Sequence, residues 1–136
     1  MKTMSRTSKP FDLVRLFAAL ADPTRLRLLH LMDGREVCVC YFVEILGQSQ
    51  PKISRHLAYL RRAGVVCARR EGKWMNYRIV RPADSRAAAI LDATLGSLNA
   101  DRQMQSDLAR LEHACCSPQA LVALQGAPLP TRLKMN

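Results

Sequence analysis

The chain has 136 residues, 49% of them hydrophobic, and a formal net charge of +10. That is enough for one soluble domain with a modest core, and with no long apolar run it excludes a membrane-spanning protein. The first ten residues contain no apolar stretch of the kind a secretion signal needs, so a cytoplasmic location is expected.

Residues 1–10 read as a flexible polar tail. Leu13, Leu16, Phe17 and Leu20 recur at helical spacing and predict a first helix. Asp22-Pro23 is an N-cap followed by a first-turn proline, opening a second helix to about Met32, with Leu26, Leu29 and Leu31 on its apolar faces. Asp33-Gly34 ends it. Val39 to Leu46 is a short third helix closed by Gly47. After a turn of about Gly47-Gln48 a fourth helix begins, with Ser49 as N-cap, Pro51 in the first turn and Gly64 at its end. Ile53, Leu57 and Leu60 make one apolar stripe, while Pro51, Lys52, Arg55, Tyr59 and Arg62 occupy the opposite face. Two short helices across a tight glycine turn form the helix-turn-helix pattern. One buried face and one cationic, hydrogen-bonding face are what a DNA major groove accepts. Alone, such a helix would be an ordinary amphipathic helix with a solvated basic face, so its surroundings decide.

Val65 to Arg70 and Trp74 to Val80 are rich in β-branched and aromatic residues and flank Glu71-Gly72-Lys73, which predicts a β-hairpin. A hairpin after a recognition helix is a wing, and its basic tip suits the DNA backbone or minor groove. Pro82 breaks the second strand. From about Asp84 to His113 the pattern is helical again, with Leu91, Leu95, Leu98 and then Met104, Leu108, Leu111 repeating, and a bend offered at Gly96-Ser97. One helix of this length leaves a spare apolar face, which predicts dimerisation together with the first helix, in preference to the alternative of simple packing across the domain. The tail from Ser117, with Pro118, Gly126, Pro128 and Pro130, reads as poorly ordered. Between Lys52 and Arg81 nine cations face one anion, Glu71, so this segment carries +8 of the net +10. Such a concentration points to a polyanion, most simply nucleic acid. No glycine-rich phosphate loop, acid/base carboxylate pair or nucleophile triad is visible, so an enzyme is not expected.

Five cysteines stand at 38, 40, 67, 115 and 116. An odd count without a secretion signal reads as reduced thiols, free to bind a soft metal or metalloid.

In this order the elements resemble the ArsR/SmtB family of winged-helix metalloregulatory repressors, specifically its arsenic-responsive branch, over roughly residues 11–112. The resemblance is carried by Ala18-Ala19-Leu20-Ala21-Asp22-Pro23-Thr24-Arg25-Leu26-Arg27-Leu28-Leu29, by Glu36-Val37-Cys38-Val39-Cys40, by Gln48 to Leu57, by Leu60 to Val66, and by the wing from Arg70 to Arg78. It implies a mainly α winged helix-turn-helix with a β-hairpin wing, a homodimer through its terminal helices. It also implies repression of double-stranded operator DNA, relieved by trivalent arsenic, As(III), or antimony, Sb(III), as inducer. The expected division is a tail at 1–10, a DNA-binding and dimerisation domain at 11–114, and the cysteine pair with a flexible tail at 115–136. The expected DNA contacts are Ser49, Gln50, Lys52, Ser54, Arg55, His56, Tyr59 and Arg62 of the fourth helix, and Arg70, Lys73, Asn76 and Arg78 of the wing. For His56 a phosphate contact and simple packing both remain open.

Cys38-Val39-Cys40 resembles the family's metal box, which typically has a third cysteine where this chain has Val43. Trivalent arsenic and antimony favour three thiolates in a pyramid, so Cys115 and Cys116 are the natural completers. Two arrangements are open: Cys38 and Cys40 with one C-terminal thiol, or Cys115 and Cys116 with one other thiol. Cys67, within a strand, reads as an inert thiol. On an α-helix residues i and i+2 point about 200° apart. Shared ligation by Cys38 and Cys40 therefore requires a non-helical first turn, and ligation is expected to distort the third helix. Other readings of the same fold are a thiol-redox switch using Cys115 or Cys116, or a zinc/cadmium-type sensor on the last helix. For the sensor, Asp101 and His113 do not give the family's ligand spacing.

Overall fold

The structure, a computed structural model, describes residues 11–116 and 126–133, with Cys116 described by its backbone alone. The expectations for residues 1–10, 117–125 and 134–136 lie outside the described residues.

Helix α1 (Leu13–Leu20) is capped by Asp12, whose carboxylate accepts from the Arg15 N–H at 3.0 Å. Leu16, Ala19 and Leu20 turn inward, whereas Leu13, Val14 and Phe17 are 45%, 79% and 50% exposed. Asp22 caps α2 (Pro23–Leu31) in the same way, with Pro23 in its first turn, as the sequence predicts. A short strand, β1 (Arg35–Cys38), leads directly into α3 (Val39–Leu46). Gly47, with φ +67°, closes α3, its N–H donating to the Val43 carbonyl at 3.0 Å. Ser49 then caps α4 (Gln50–Arg62), which buries Ile53, Leu57 and Leu60. The Gln48 amide donates to the Thr24 hydroxyl at 3.1 Å and ties the turn to α2.

The wing is the hairpin β2 (Val66–Glu71) and β3 (Trp74–Ile79), turned at Gly72-Lys73. The antiparallel sheet runs β2-β3-β1-β4, where β4 is Thr131–Arg132. Strand β1 pairs with β3 at Val37↔Tyr77 and Cys38↔Asn76, and with β4 at Arg35↔Arg132 and Glu36↔Thr131. Residues 126–133 therefore correct the expectation of a poorly ordered tail in that stretch: Ala127 is buried and the Leu133 N–H donates to the Gly34 carbonyl.

A second correction concerns the long last helix. It is two helices, α5 (Ser85–Leu98) and α6 (Arg102–Cys116). Gly96 stays helical, and the break falls at Asn99-Ala100-Asp101, where the Asp101 carboxylate accepts from the Met104 N–H at 3.1 Å and starts α6. Helix α6 returns to pack on α2 and α3. Leu91, Leu98, Met104 and Leu111 are thereby buried within the protomer, and Leu95 and Leu108 half-buried. The spare apolar face expected there is largely consumed. Among the described residues, the large exposed apolar side chains are Leu13, Val14, Phe17 and Leu129. None of the described helices is long and apolar enough to cross a membrane.

Candidate nucleic-acid interface and thiol site

Helix α4 presents Gln50, Lys52, Arg55 and Arg62 to solvent beside a groove of about 860 Å³. Ser49 is exposed but spends its hydroxyl as the cap, accepting from the Lys52 N–H at 3.4 Å. Ser54 is half-buried. His56 and Tyr59 line the groove but are engaged by Arg25, a residue outside the expected contact set. The Arg25 guanidinium sits 4.2 Å from the Tyr59 ring centre and 3.2 Å from His56 Nδ1, and donates to the Ala19 and Ala18 carbonyls at 2.8 and 2.9 Å. Asp22 stands 3.9 Å from His56 Nδ1. Arg25 thus fastens the end of α1 and the start of α2 to α4, setting the pitch at which α4 faces outward. Its signal in the sequence is its place three residues after the Asp22 cap, on the first turn of a helix that must lie against α4.

On the wing, Arg70, Lys73 and Arg78 are exposed, and the Lys73 ammonium lies 4.9 Å from the Trp74 ring centre. Asn76 is put to a different use than expected. It is 3% exposed, and its amide donates to Glu71 Oε1 at 3.3 Å, bracing the hairpin from inside.

Cys38 ends β1 and is the N-cap residue of α3, with extended backbone (φ −70°, ψ 143°). This corrects the i, i+2 argument: Cys38 stands outside the helix, and the Cys40 thiol donates to Cys38 Sγ at 3.2 Å. The pair faces itself with the helix intact, so ligation need not unwind α3. That hydrogen bond, more than any other cause, pushes the Cys38 thiol down to about 7, against the opposing effect of burial. The backbone N–H groups of Cys40, Val39 and, from the wing, Met75 add to it. Cys40, holding the shared proton, is pushed up by the same bond and by burial.

Tyr41 lies fully buried, and its hydroxyl has no hydrogen-bond partner among the described residues. Burial, then the charges of Cys115, Cys40 and Cys38, pushes it up to about 12. The N-terminus of α3 and the last turn of α6, with Cys115 and the backbone of Cys116, are therefore in one neighbourhood. Among the described residues no three His, Cys, Asp or Glu side chains are close enough to share an ion. Val43 is half-buried one turn after Cys40, and Cys67 is half-buried in β2 opposite Arg78. Asp101 and His113 lie about 18 Å apart along α6 at the usual helical rise, too far for one ion.

A winged helix-turn-helix with a basic reading helix, and a thiol pair at the head of the helix that supports it, defines a DNA-binding regulator rather than an enzyme. Residues 22–67 match the family described as bacterial regulatory protein, arsR family. The chain is 48% identical over 80 residues to the arsenical resistance operon repressor of Escherichia coli K12, a match covering 58% of this chain and 68% of that one. It is 41% identical over 110 residues to the arsenic resistance transcriptional regulator ArsR1 of Pseudomonas putida, covering 79% and 84%. Among solved structures, HlyU from Vibrio cholerae N16961 superposes with a TM-score of 0.52 at 33% identity, covering 63% of this chain and 89% of that one. The repressor BigR from Xylella fastidiosa does so with 0.52 at 30% identity, covering 65% and 87%. The chain belongs to the arsR family of bacterial regulatory proteins and is an ArsR-type transcriptional repressor.

Proposed function

We propose that this repressor holds operator DNA as a homodimer and leaves it when trivalent arsenic or antimony is bound by Cys38 and Cys40, with a third thiolate from Cys115 or Cys116. The observation that carries the reading is the 3.2 Å approach of the two sulfurs. Two thiolates each about 2.3 Å from one soft ion, at an angle near 90°, stand about 3.3 Å apart. The pair is thus already at ligating separation. Cys38, whose proton is loosened, is the first donor; thiolates rather than thiols are the ligands. Cys115 supports the third role because it shares the Tyr41 neighbourhood with both. Lys52, Arg55 and Arg62 of α4 and Arg70, Lys73 and Arg78 of the wing supply the operator contacts, in a cytoplasm that keeps thiols reduced. Relatives whose names state arsenical resistance support the metalloid as inducer.

The test is fluorescence anisotropy of operator-bound protein titrated with arsenite under a non-thiol reductant. Cys38→Ser and Cys40→Ser should each keep DNA affinity and abolish release. Exchanging Cys115 and Cys116 together for serine should do the same, whereas Cys67→Ser should respond as the parent does. Release by the doubly substituted Cys38→Ser, Cys40→Ser protein at the parental arsenite concentration would move the site to the C-terminal pair. Failure of the parent to release would overturn the reading.

A further inference from the structure

Glu36 lies two residues before Cys38 on β1 and is 8% exposed. A buried carboxylate is tolerated where it is paired, and its partners here are all on the wing. Arg69 of β2 donates to it at 2.6, 3.1 and 3.2 Å, and the Arg78 guanidinium of β3 stands 4.0 Å away. Strand β2 is not a neighbour of β1. Strand β3 lies between them, so the ion pair reaches over a full strand, about 10 Å of sheet. Arg69 also holds Glu71 at 2.9 Å, and Glu71 accepts from buried Asn76, which sits opposite Cys38 in the β1–β3 register. One polar network therefore has the thiol-bearing strand at one end and both wing strands at the other.

The mechanics follow from the pairing. Strands β2 and β3 are joined at six ladder positions, so the hairpin is stiff in itself. Strand β1 meets β3 at two, Val37 and Cys38, a joint that can slip. The Glu36–Arg69 pair bypasses that joint and latches β1 to the far strand of the hairpin. Arg70 and Lys73, the cations of the wing tip, ride on the same hairpin.

We propose that Glu36 is a positioning residue which transmits occupancy of the Cys38–Cys40 site to the wing through Arg69, so that the inducer acts on the wing's grip of DNA as well as on α4. Resting on the function proposed above, it adds a route: ligation draws Cys38 Sγ away from the Met75 N–H of β3, β1 shifts, and the latch makes the hairpin follow. Without the latch the shift is absorbed at the two-residue joint.

The test measures coupling rather than binding: the ratio of arsenite affinities of free and operator-bound protein, an equilibrium quantity that must be reciprocal. Glu36→Gln and Arg69→Gln should each cut that ratio about tenfold, the upper part of the range seen for coupling residues. Arsenite affinity of the free protein and operator affinity without arsenite should stay near the parental values. Arg69 is half-exposed, so Arg69→Gln carries the test if Glu36→Gln fails to fold by circular dichroism. An unchanged ratio in a folded variant overturns the inference while leaving the proposed function standing. A parent protein that arsenite does not release at all overturns both, and the two failures are told apart by the parent alone.

Discussion

At the scale of single residues, the chemistry of this repressor turns on where Cys38 sits. A cysteine inside α3 would face away from Cys40, but as the N-cap residue it swings back and accepts the Cys40 thiol proton. The consequence is a split between the two thiols: the hydrogen bond from Cys40 holds Cys38 down to about 7, while the same bond and burial hold Cys40 above the usual thiol range. Since the Cys40 hydrogen bond does most to hold the thiolate, removing that donor should let the Cys38 thiol rise. Thiolate ultraviolet absorbance of a variant keeping Cys38 and Cys40 as its cysteines should rise with a first midpoint near pH 7. Adding Cys40→Ala should move that midpoint upward, because burial then acts on Cys38 with less opposition. A midpoint that stays near 7 would mean that the backbone N–H groups, not Cys40, hold the thiolate. The proton balance carries over to sensing: As(OH)3 bound by three thiols releases three waters and no net proton, so a Cys38 already ionised must regain a proton for the departing hydroxide, and arsenite affinity should be level below pH 7 and weaken above it.

At the scale of elements, α6 docks through buried Met104, Leu111 and Ala114 and one buried carboxylate. Asp107 is 0% exposed and receives Arg27 of α2 at 2.7 and 2.9 Å and Gln103 at 3.0 Å. Substituting Arg27→Ala leaves that buried carboxylate without its counter-charge and with Gln103 as a neutral donor, and urea denaturation should show a loss of about 3–5 kcal/mol, the cost typical of breaking a buried pair. Replacing both partners with leucine should recover most of it. A loss below about 1 kcal/mol in the single variant would show that Gln103 and water satisfy Asp107 instead. This docking was poorly legible in the sequence, and the reason is physical. The i, i+4, i+7 stripes of Leu91–Leu98 and Met104–Leu111 are compatible with one helix, and Asn99-Ala100 carries no proline or glycine to interrupt it. Asp101 as a cap was the available signal; the glycine at 96, the usual suspect, is held helical. Strands β1 and β4 are not legible in the sequence for another reason. They are four and two residues long and exist through long-range pairing, which no local periodicity reports. By contrast α1 to α4 and the wing were legible because stripe, caps and turn agree locally: the Leu13–Leu20 spacing, Asp22, Ser49, Gly47 and Gly72. The two cysteines of α3's entry were legible as a pair; their geometry was not, because it depends on β1 ending at Cys38.

At the scale of the whole molecule, exposed cations lie on α4 and the wing, while three of the four large exposed apolar side chains among the described residues, Leu13, Val14 and Phe17, cluster on α1. Val14, Leu13 and Phe17 lie within about one turn of an eight-residue helix, and this exposed apolar patch is the candidate surface for the homodimer proposed above. With the interior of α5 and α6 satisfied within the protomer, α1 is where the proposed homodimer must gain most of its apolar contact. Two-fold association there would set two α4 helices for half-sites about 34 Å apart, one turn of DNA. Val14 is the discriminating position because at 79% exposed it contributes little to the protomer's own fold. Val14→Asp should leave the thermal unfolding of the isolated protomer near the parental value, yet shift sedimentation equilibrium toward monomer. Operator affinity should drop on the order of 100-fold, since two linked half-site contacts become two independent ones. The salt dependence of the residual binding should shrink as well, because half the phosphate contacts are lost from each bound particle. A variant that stays dimeric and binds the operator as tightly as the parent would place the interface elsewhere, and Leu129, the one other large apolar side chain exposed among the described residues, would be the next position to charge.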